Sequence, residues 1–319
     1  MTRLQPLGID IGSTRVRVAL SECGGESRLR LRAVVSRELP QESWRDGGTE
    51  LDLAAAILEE LLRELGVRIK ECITAVGAPY AALRVVRFPK MSRIERLRAA
   101  RFELLQESWS ENRSIVRVHP VDRRAELFAV AVIDDVVLKR HVEVLRKAGL
   151  RVVAIDHDAC ALARILPNFD AIADIGRDGM RLHVFRDASL TSWTAALGGG
   201  SVTQAIATAL SIDEESAEHR KRILGVAGAG QSALTELAQA LGKLLGQAQA
   251  AGARVSRLAL IGNGARLPGF AELVEESAGV YIERPVAALL QTAEIDDEVL
   301  RVAAPDWTLA AALSGWAAA

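Results

Sequence analysis

Two β-prone, mainly apolar runs around a short polar turn open each half of the chain and predict a β-hairpin there. In the first half, the β-prone runs 7–11 and 16–20 flank a turn at 12–14. In the second half, three short runs repeat this layout, at 171–175, 180–186 and 190–196. Each hairpin carries Asp-Ile-Gly at the end of its first run, and Asp10 and Asp174 lie 164 residues apart. This weak internal repeat indicates two related halves.

Elsewhere, apolar residues recur at the spacing of helices or of strands. The predicted helices cover 49–65, 92–108, 135–148, 157–166, 201–210, 213–224, 231–250, 268–278 and 308–317. The further predicted strands cover 29–39, 73–77, 83–88, 115–121, 127–133, 151–155, 257–261 and 280–283. This mixture predicts an α/β fold.

The domain organisation follows from the order of these elements. A β-α-β-β-α block over 78–150 is predicted to be a subdomain inserted into the first domain, and the alternative is that it extends one larger sheet. Pro167 and Asn168 break the chain and suggest a domain boundary. The predicted units are a first domain over 1–166, a second over 167–304, and a C-terminal helix over 305–319 that packs back on the first domain.

The composition is that of a globular protein, with 50% hydrophobic and 25% charged residues. The formal net charge of −1 gives no global field that would attract nucleic acid or an anionic membrane. Three widely spaced cysteines form neither a disulfide framework nor a zinc motif, which fits a reducing cytosol. No apolar run approaches the ~20 residues of a membrane span. We therefore expect a cytoplasmic protein with no nucleic-acid partner and no direct membrane insertion.

The first hairpin turn carries groups that can hold a phosphate. Gly12 allows close approach of a ligand, and Ser13 and Thr14 offer hydroxyl and N–H donors. Asp10 places a carboxylate at the strand end, which suits Mg²⁺ held through water. An ordinary hairpin is the alternative, and the second Asp-Ile-Gly at Asp174 favours phosphate binding.

Two further segments are expected beside these hairpins. One is the connection that carries Asp156 and Asp158 between a strand and a helix, and the other is the turn over 262–264. In a two-domain protein with facing hairpins, these segments would converge on an interdomain cleft. Two backbone-lined turns, two carboxylates and a glycine turn suit a metal-bound polyphosphate with a flat base.

Seven segments in order along the chain carry a resemblance to a known family. They read LGIDIGSTRVRVAL, FPKMSRIERLRAARFELLQ, LKRHVEVLRKAGLRVVAIDHDACALAR, ADIGRDGMRLHVF, LGGGSVTQAIA, EESAEHRKR and LIGNGARLPGF. Through them the chain resembles the PilM family, the FtsA-related branch of the actin-like ATPase superfamily that serves type IV pilus assembly. This resemblance implies an actin-like ATPase fold, with two ribonuclease-H-like domains around a nucleotide cleft and an inserted subdomain.

The resemblance also implies a site for ATP or ADP with Mg²⁺. The implied contacts are Asp10, Gly12, Ser13 and Thr14 in a first phosphate loop, Asp174, Gly176 and Arg177 in a second, Glu218 and Lys221 beside the nucleoside, and Gly262, Asn263 and Gly264 in an adenosine loop. Asp10 and Asp174 would hold Mg²⁺ through water. Hydrolysis would be slow or incidental, with Asp156 and Asp158 as the candidate catalytic residues.

Several positions leave alternatives open. Arg17 stands where the family usually has Lys, which leaves a phosphate contact there undecided. Asn263 replaces a usual Gly but tolerates the left-handed conformation. Arg177 and Asp178 add opposite charges to the second loop.

Two pairs of predicted site residues also have ordinary structural explanations. Glu218 and Lys221 are spaced like a solvated ion pair on a helix. Asp156 and Asp158 can cap the following helix, and the alternative is that one of them positions the hydrolytic water. The residues alone do not decide between these readings.

The function implied by the resemblance is that of an ATP-binding scaffold of the inner-membrane assembly platform of a type IV pilus, or of a related competence or secretion machine. Its partner would be the N-terminal cytoplasmic peptide of a PilN-like inner-membrane protein, docked near the inserted subdomain. Other platform proteins, the assembly ATPase and further copies of the chain are additional partners to consider. The protein would be cytoplasmic and recruited peripherally to the inner membrane.

Two alternatives belong to other functional classes. A phosphotransferase of the sugar-kinase or acetate-kinase branch shares the phosphate loops but needs an acceptor site, and no acceptor pocket is evident in the sequence. An FtsA-like division protein would end in a basic amphipathic helix, whereas the segment from Trp307 onward contains no Lys or Arg.

Overall fold

The computed structural model describes residues 3–23, 29–39, 49–105, 109, 113–122, 124, 126–186, 189–226, 228–283 and 298–315. The predicted ends of two helices, at 106–108 and 316–317, lie outside these ranges. The strands are β1 (Arg3–Leu4), β2 (Leu7–Ile11), β3 (Arg15–Cys23), β4 (Leu29–Glu38), β5 (Glu71–Val76), β6 (Ala81–Arg87), β7 (Ser114–Asp122), β8 (Leu127–Asp134), β9 (Arg151–His157), β10 (Ala171–Ile175), β11 (Met180–Arg186), β12 (Ser189–Ala195), β13 (Arg257–Ile261) and β14 (Tyr281–Glu283). The helices are α1 (Thr49–Leu65), α2 (Arg93–Leu105), α3 (Asp135–Lys147), α4 (Asp158–Ile165), α5 (Gly199–Leu210), α6 (Glu214–Leu224), α7 (Gln231–Ala250), α8 (Phe270–Ala278) and α9 (Glu298–Ser314).

These strands form three sheets. The first has the order β1-β3-β2-β5-β9, with β4 also paired to β3, and the second has the order β12-β11-β10-β13-β14. The third sheet has the order β6-β8-β7. The block over 78–150 therefore contains a sheet of its own and does not extend the first sheet.

Both predicted hairpins are confirmed, and they are built alike. β2 pairs antiparallel with β3 so that Asp10 lies opposite Arg17, and β10 pairs antiparallel with β11 so that Asp174 lies opposite Arg181. On its other side, β2 pairs in parallel with β5, and β10 pairs in parallel with β13. Each Asp thus lies near the carboxyl end of a central strand, where open α/β sheets place their ligands.

Apart from Gly8 and one Asp each, the two central strands consist of large or small apolar residues, which explains why they are buried. Leu7 and Ile9 of β2 are fully enclosed, as are Ala171, Ile172 and Ile175 of β10. A strand covered on both faces needs such a run instead of an alternating pattern. Full burial of each large aliphatic side chain contributes roughly 1.5–3 kcal/mol, so the hairpins that carry the two Asp residues are firmly anchored in their cores.

One face of the third sheet is buried in a core of its own. Phe128, Val130 and Val132 of β8 are buried in a core to which α2 contributes. The alternate residues Ala129 and Ala131 point to the opposite face and are half-buried. This face forms an apolar surface beside the main body of the molecule.

Helix α3 departs from the predicted subdomain. Its buried side chains Val144 and Leu145 pack in the first core, with residues of α1, instead of against the third sheet. The amphipathic pattern that predicted the helix does not reveal which sheet it covers. The division of the chain into domains stays a prediction.

The last helix packs directly on the first sheet. Gly8 of β2 makes this possible, because a Cβ there would lie only 2.0 Å from the carbonyl oxygen of Ala310. The Ser21 hydroxyl donates to the Ser314 carbonyl at 2.7 Å and fixes the end of the helix. This packing brings Asp306 beside the first hairpin. Within the described ranges, no helix combines the length and apolar character that crossing a membrane requires.

Candidate functional site

A cleft of about 1070 Å³ lies between the first and second sheets. The twelve residues predicted to bind a nucleotide all line it: Asp10, Gly12, Ser13, Thr14, Asp174, Gly176, Arg177, Glu218, Lys221, Gly262, Asn263 and Gly264. Segments separated by more than two hundred residues in sequence are therefore brought together in one cavity. Further walls come from the end of β4, from α6 and from α9.

At the first hairpin, Asp10 belongs to a buried ionic chain. Arg17 donates from Nη1 to Asp10 Oδ2 at 3.0 Å and from Nε to Asp306 Oδ1 at 2.8 Å. Burial raises the pKa of Asp10, and the opposing effect of Arg17 does not cancel this. Burial would lower the pKa of Arg17, but the combined effect of Asp10 and Asp306 is larger and raises it above its usual value. The guanidinium therefore stays charged. Asp306 therefore holds Arg17 in place from the last helix.

At the second hairpin, the same arrangement recurs with another anchor. Arg181 Nη1 donates to Asp158 Oδ2 at 2.7 Å, and its Nη2 lies 3.8 Å from Asp174 Oδ2. Asp158 is enclosed against Gly77, where a Cβ would lie 1.6 Å from its Oδ2. Burial alone would raise the pKa of Asp158, but His183, His157 and Arg181 hold it well below its usual range.

The two catalytic candidates do not line the cleft. Asp156 accepts the N–H of His157 at 2.8 Å and pairs with Arg164. Asp158 accepts the N–H of Ala159 at 2.6 Å, and that N–H also contacts the ring of His157, which is the N-cap of α4. The expected capping by Asp156 is thus replaced by capping at His157, because β9 continues through that residue. These contacts favour structural roles for both carboxylates.

The two loops close in the same way. The N–H of Gly12 donates to the carbonyl of Arg15 at 2.9 Å, and the N–H of Gly176 donates to the carbonyl of Gly179 at 2.9 Å. α5 begins against the second loop, where a Cβ at Gly198 would lie 2.4 Å from the Arg177 carbonyl oxygen. A helix N-terminus beside a glycine turn suits an anionic ligand.

The turn over 262–264 packs against the second hairpin. Gly262 has a φ of +82°, and a Cβ there would lie 2.5 Å from Asp174 Oδ1. At Gly264 a Cβ would lie 2.2 Å from Ile175 Cγ2. Asn263 begins a 3₁₀ turn and does not occupy the left-handed region. The two glycines are therefore required by close approach, and the Asn is not strained.

Glu218 and Lys221 are not a solvated surface pair. Lys221 Nζ lies 2.6 Å from Glu218 Oε2 and donates to the Gly199 carbonyl at 3.0 Å and to Thr203 Oγ1 at 2.6 Å. Burial would raise the pKa of Glu218, but Lys221 and Thr203 lower it to about 2. Burial lowers the pKa of Lys221, against the attraction of Glu218. The pair pins α6 to α5 at the cleft wall.

Arg177 is also engaged by the protein. Its guanidinium pairs with Glu214 in the first turn of α6. Asp178 Oδ1 lies 3.7 Å from Arg177 Nε. The opposite charges noted in the second loop are thereby balanced within the loop and the neighbouring helix.

An ion pair crosses the mouth of the cleft. Glu38 Oε1, at the end of β4, accepts from Arg222 Nη1 of α6 at 2.5 Å and from Arg15 Nη2 at 2.6 Å. Arg222 also donates to Glu218 Oε1 at 3.0 Å. These contacts join the two halves of the molecule along the cleft.

The charges at the base of the cleft fit a nucleotide that carries Mg²⁺. Three carboxylates of the lining, those of Asp10, Asp174 and Asp306, face the two guanidinium groups of Arg17 and Arg181. These carboxylates would repel a bare polyphosphate, and a divalent cation would offset the repulsion. Among the described residues, no group of three or more His, Cys, Asp or Glu is arranged to bind a metal. The ion would therefore depend on Asp10, Asp174, water and phosphate for its ligands.

A match to a family model shows to which protein family this chain belongs. The family model described as type IV pilus assembly protein PilM matches residues 114–315, which is more than half of the chain. The chain belongs to the PilM family. The predicted family membership is thereby confirmed. A comparison with curated protein sequences finds no match.

Solved structures extend the similarity over the whole PilM-family chain. A structure described as a PilM–PilN type IV pilus biogenesis complex is 26% identical, with a TM-score of 0.84 and 97% of each chain covered. The ethanolamine utilization protein EutJ from Carboxydothermus hydrogenoformans is 17% identical, with a TM-score of 0.59, and 98% of this chain and 89% of that one are covered. A MamK double helical filament is 12% identical, with a TM-score of 0.55 and 98% of each chain covered. The predicted actin-like ATPase fold is confirmed.

Sequence reasoning missed two of the residues that shape the site. Arg181 stands seven residues after Asp174, just as Arg17 stands seven residues after Asp10. This spacing is a signal that could have extended the repeat from the Asp to the Arg. Asp306 has no such signal, because its role depends on how the last helix packs.

Proposed function

We propose that this PilM-family protein is an ATP-binding scaffold of the inner-membrane assembly platform of a type IV pilus or a related machine. The observation that carries the proposal is the convergence of both Asp-Ile-Gly hairpins and the 262–264 turn on one cleft. The charge balance at the base of this cleft supports a requirement for Mg²⁺. The absence of Asp156 and Asp158 from its lining gives no support to hydrolysis through these residues.

Each part of the cleft has a task in this proposal. Asp10 and Asp174 orient water around Mg²⁺, which neutralises phosphate charge when bound. The backbone of the turns at 12–14 and 176–179 donates to phosphate oxygens. The turn at 262–264 offers a flat, side-chain-poor surface to the base. A ligand that contacts both hairpins holds the two halves of the molecule together.

Calorimetric titration with Mg-ATP tests the nucleotide part of the proposal. The protein should bind Mg-ATP, and ATP in excess EDTA should bind at least about tenfold more weakly, because Asp10 and Asp174 then face the phosphates without a cation between them. Equal affinity with and without Mg²⁺ would contradict the proposed site. Release of ADP that depends on an added acceptor would instead support the phosphotransferase alternative.

The partner in this proposal is the N-terminal cytoplasmic segment of a PilN-like membrane protein. Support comes from the similarity to a chain of a PilM–PilN complex and from the apolar face of the third sheet opposite its core. Leu83 and Val85 of β6 pair with Ala131 and Ala129 of β8 on this face, and all four are half-buried. An extended peptide can cover such an apolar face and pair with a sheet edge.

Fluorescence polarisation with a labelled peptide of that segment tests the partner. The protein should bind the peptide, and Val85→Glu should weaken binding by about tenfold or more, because it places a charge on the apolar face. Val121→Glu is a matched control on exposed β7. Equal binding by both variants would place the peptide elsewhere. Repeating the titration with and without Mg-ATP shows whether nucleotide creates the surface.

A further inference from the structure

A strongly basic segment stands out in a chain that is otherwise almost neutral. Residues 84–101 contain seven basic residues and one acidic residue, whereas the whole chain has a net charge of −1. We define the basic surface as the exposed side chains of this region on the third sheet and its helix: Arg87, Lys90, Arg93, Ile94, Arg98, Arg101 and Phe102. Like charges held together repel one another, so this clustering indicates an anionic partner.

The outer side of α2 combines these charges with apolar side chains. Ala100 is fully buried and Leu97 packs in the third core, so this side of the helix faces inward. Ile94, Arg98 and Phe102 follow one another at intervals of four residues on the other side. Ile94 is 66% and Phe102 68% exposed, higher than any other large hydrophobic side chain that the structure describes.

The protein itself does not neutralise most of this charge. Within the described ranges, Arg87, Lys90, Arg93 and Arg101 form no ion pair. Arg98 acts electrostatically on Glu95, whose carboxylate is held by Ser92. Four cations are therefore available to a partner.

We propose that the basic surface contacts the anionic lipid head groups of a membrane. Its two exposed apolar side chains, Ile94 and Phe102, are separated by Arg98 on the helix surface. This pattern suits shallow entry between head groups more than the continuous apolar core of a protein interface. The cations lie around them and can reach lipid phosphates. The contact is peripheral adsorption, with no membrane-spanning segment.

Co-sedimentation of the full chain with vesicles tests this proposal without nucleotide or peptide, so its failure is distinct from failure of the proposed function. The protein should sediment with vesicles that contain phosphatidylglycerol and not with pure phosphatidylcholine. Combined Arg93→Glu, Arg98→Glu and Arg101→Glu should lower binding at least about tenfold, because each basic residue near an anionic surface contributes severalfold. Phe102→Ser should lower binding by a smaller factor.

A matched control reverses three exposed cations elsewhere, with Arg63→Glu, Arg68→Glu and Lys243→Glu. Its net charge equals that of the first triple variant, and it should retain most of the binding. Unfolding transitions of both triple variants show that they are folded. Equal loss of vesicle binding by the two triple variants would overturn the proposal. An equal affinity of the wild type for anionic and neutral vesicles would also overturn it, and an acidic protein would then be the partner that the basic surface fits.

Discussion

The two hairpins share one ion-pair design but differ in what completes it. In the first, Asp306 of the last helix holds Arg17 against Asp10. In the second, Asp158 at the start of α4 holds Arg181, and this carboxylate is also enclosed by histidines. The Arg of the second hairpin is therefore held by a residue from the middle of the chain, whereas the Arg of the first hairpin is held by the last described helix, α9. Similar cleft chemistry can therefore rest on unequal structural support.

Among these substitutions, loss of Asp158 should lower the free energy of unfolding most. Asp158→Ala removes an enclosed carboxylate that is the closest partner of Arg181 and also contacts His157 and His183, and the free energy of unfolding should fall by about 2–4 kcal/mol. Chemical denaturation measures this change. Asp156→Ala is the matched control two residues away, on a carboxylate that pairs with Arg164, and should cost clearly less. Equal losses would mean that the ion pairs of Asp158 stabilise the fold no more than the single pair of Asp156 with Arg164.

Loss of Asp306 should have a smaller effect on stability. Asp306→Ala leaves Arg17 paired with Asp10 alone, and the free energy of unfolding should fall by about 1–3 kcal/mol. The same denaturation experiment measures it, and Asp306→Asn should recover part of the loss because its amide oxygen can still accept from Arg17. A loss larger than that of Asp158→Ala would reverse the proposed ranking of the hairpins.

Acid should weaken the second hairpin more than the first. Burial lowers the pKa of His183, so the unfolded chain binds a proton below about pH 6.5 that the folded chain excludes. Stability should therefore fall as the pH decreases below that value. His183→Gln should flatten this dependence in denaturation at several pH values. Burial also lowers the pKa of His141, to about 4, and this residue contributes the same loss of stability in acid to the wild type and to the His183→Gln variant. An unchanged slope would contradict the assignment.

The ion pair that joins the two halves should have the smallest effect on stability. Glu38→Gln should change the free energy of unfolding by at most about 1 kcal/mol, because both partners are partly exposed. It should nevertheless speed the release of a fluorescent ATP analogue measured by stopped flow. Arg222→Gln should speed release to a similar extent, because it removes the other partner of the same ion pair. A release rate that is insensitive to all these changes would exclude a closing role for the pair.

Much of the local structure could be predicted from the sequence. The runs on either side of Gly12 and after Asp174 specify hairpins, because buried central strands need continuous apolar residues. The glycine turns at both loops could likewise be assigned from composition. These features depend on residues that are neighbours in the chain.

Features that depend on tertiary packing could not be predicted in this way. The helical pattern of α3 does not show that Val144 packs in the first core. Nothing near Asp306 indicates a buried Arg as its partner, since the two residues are 289 apart in sequence. Glu218 and Lys221 have the spacing of a surface pair, and only the position of α5 shows that they are enclosed.

The proposed function requires that the two hairpins together bind Mg-ATP in the cleft between them. Calorimetric titration of Asp10→Asn and Asp174→Asn tests it most directly, with Asp156→Asn as a control outside the cleft. Each hairpin variant should bind Mg-ATP about 10- to 100-fold more weakly, because the water around the metal loses a carboxylate partner, while the control should bind like the wild type. Wild-type affinity in both hairpin variants would contradict the claim.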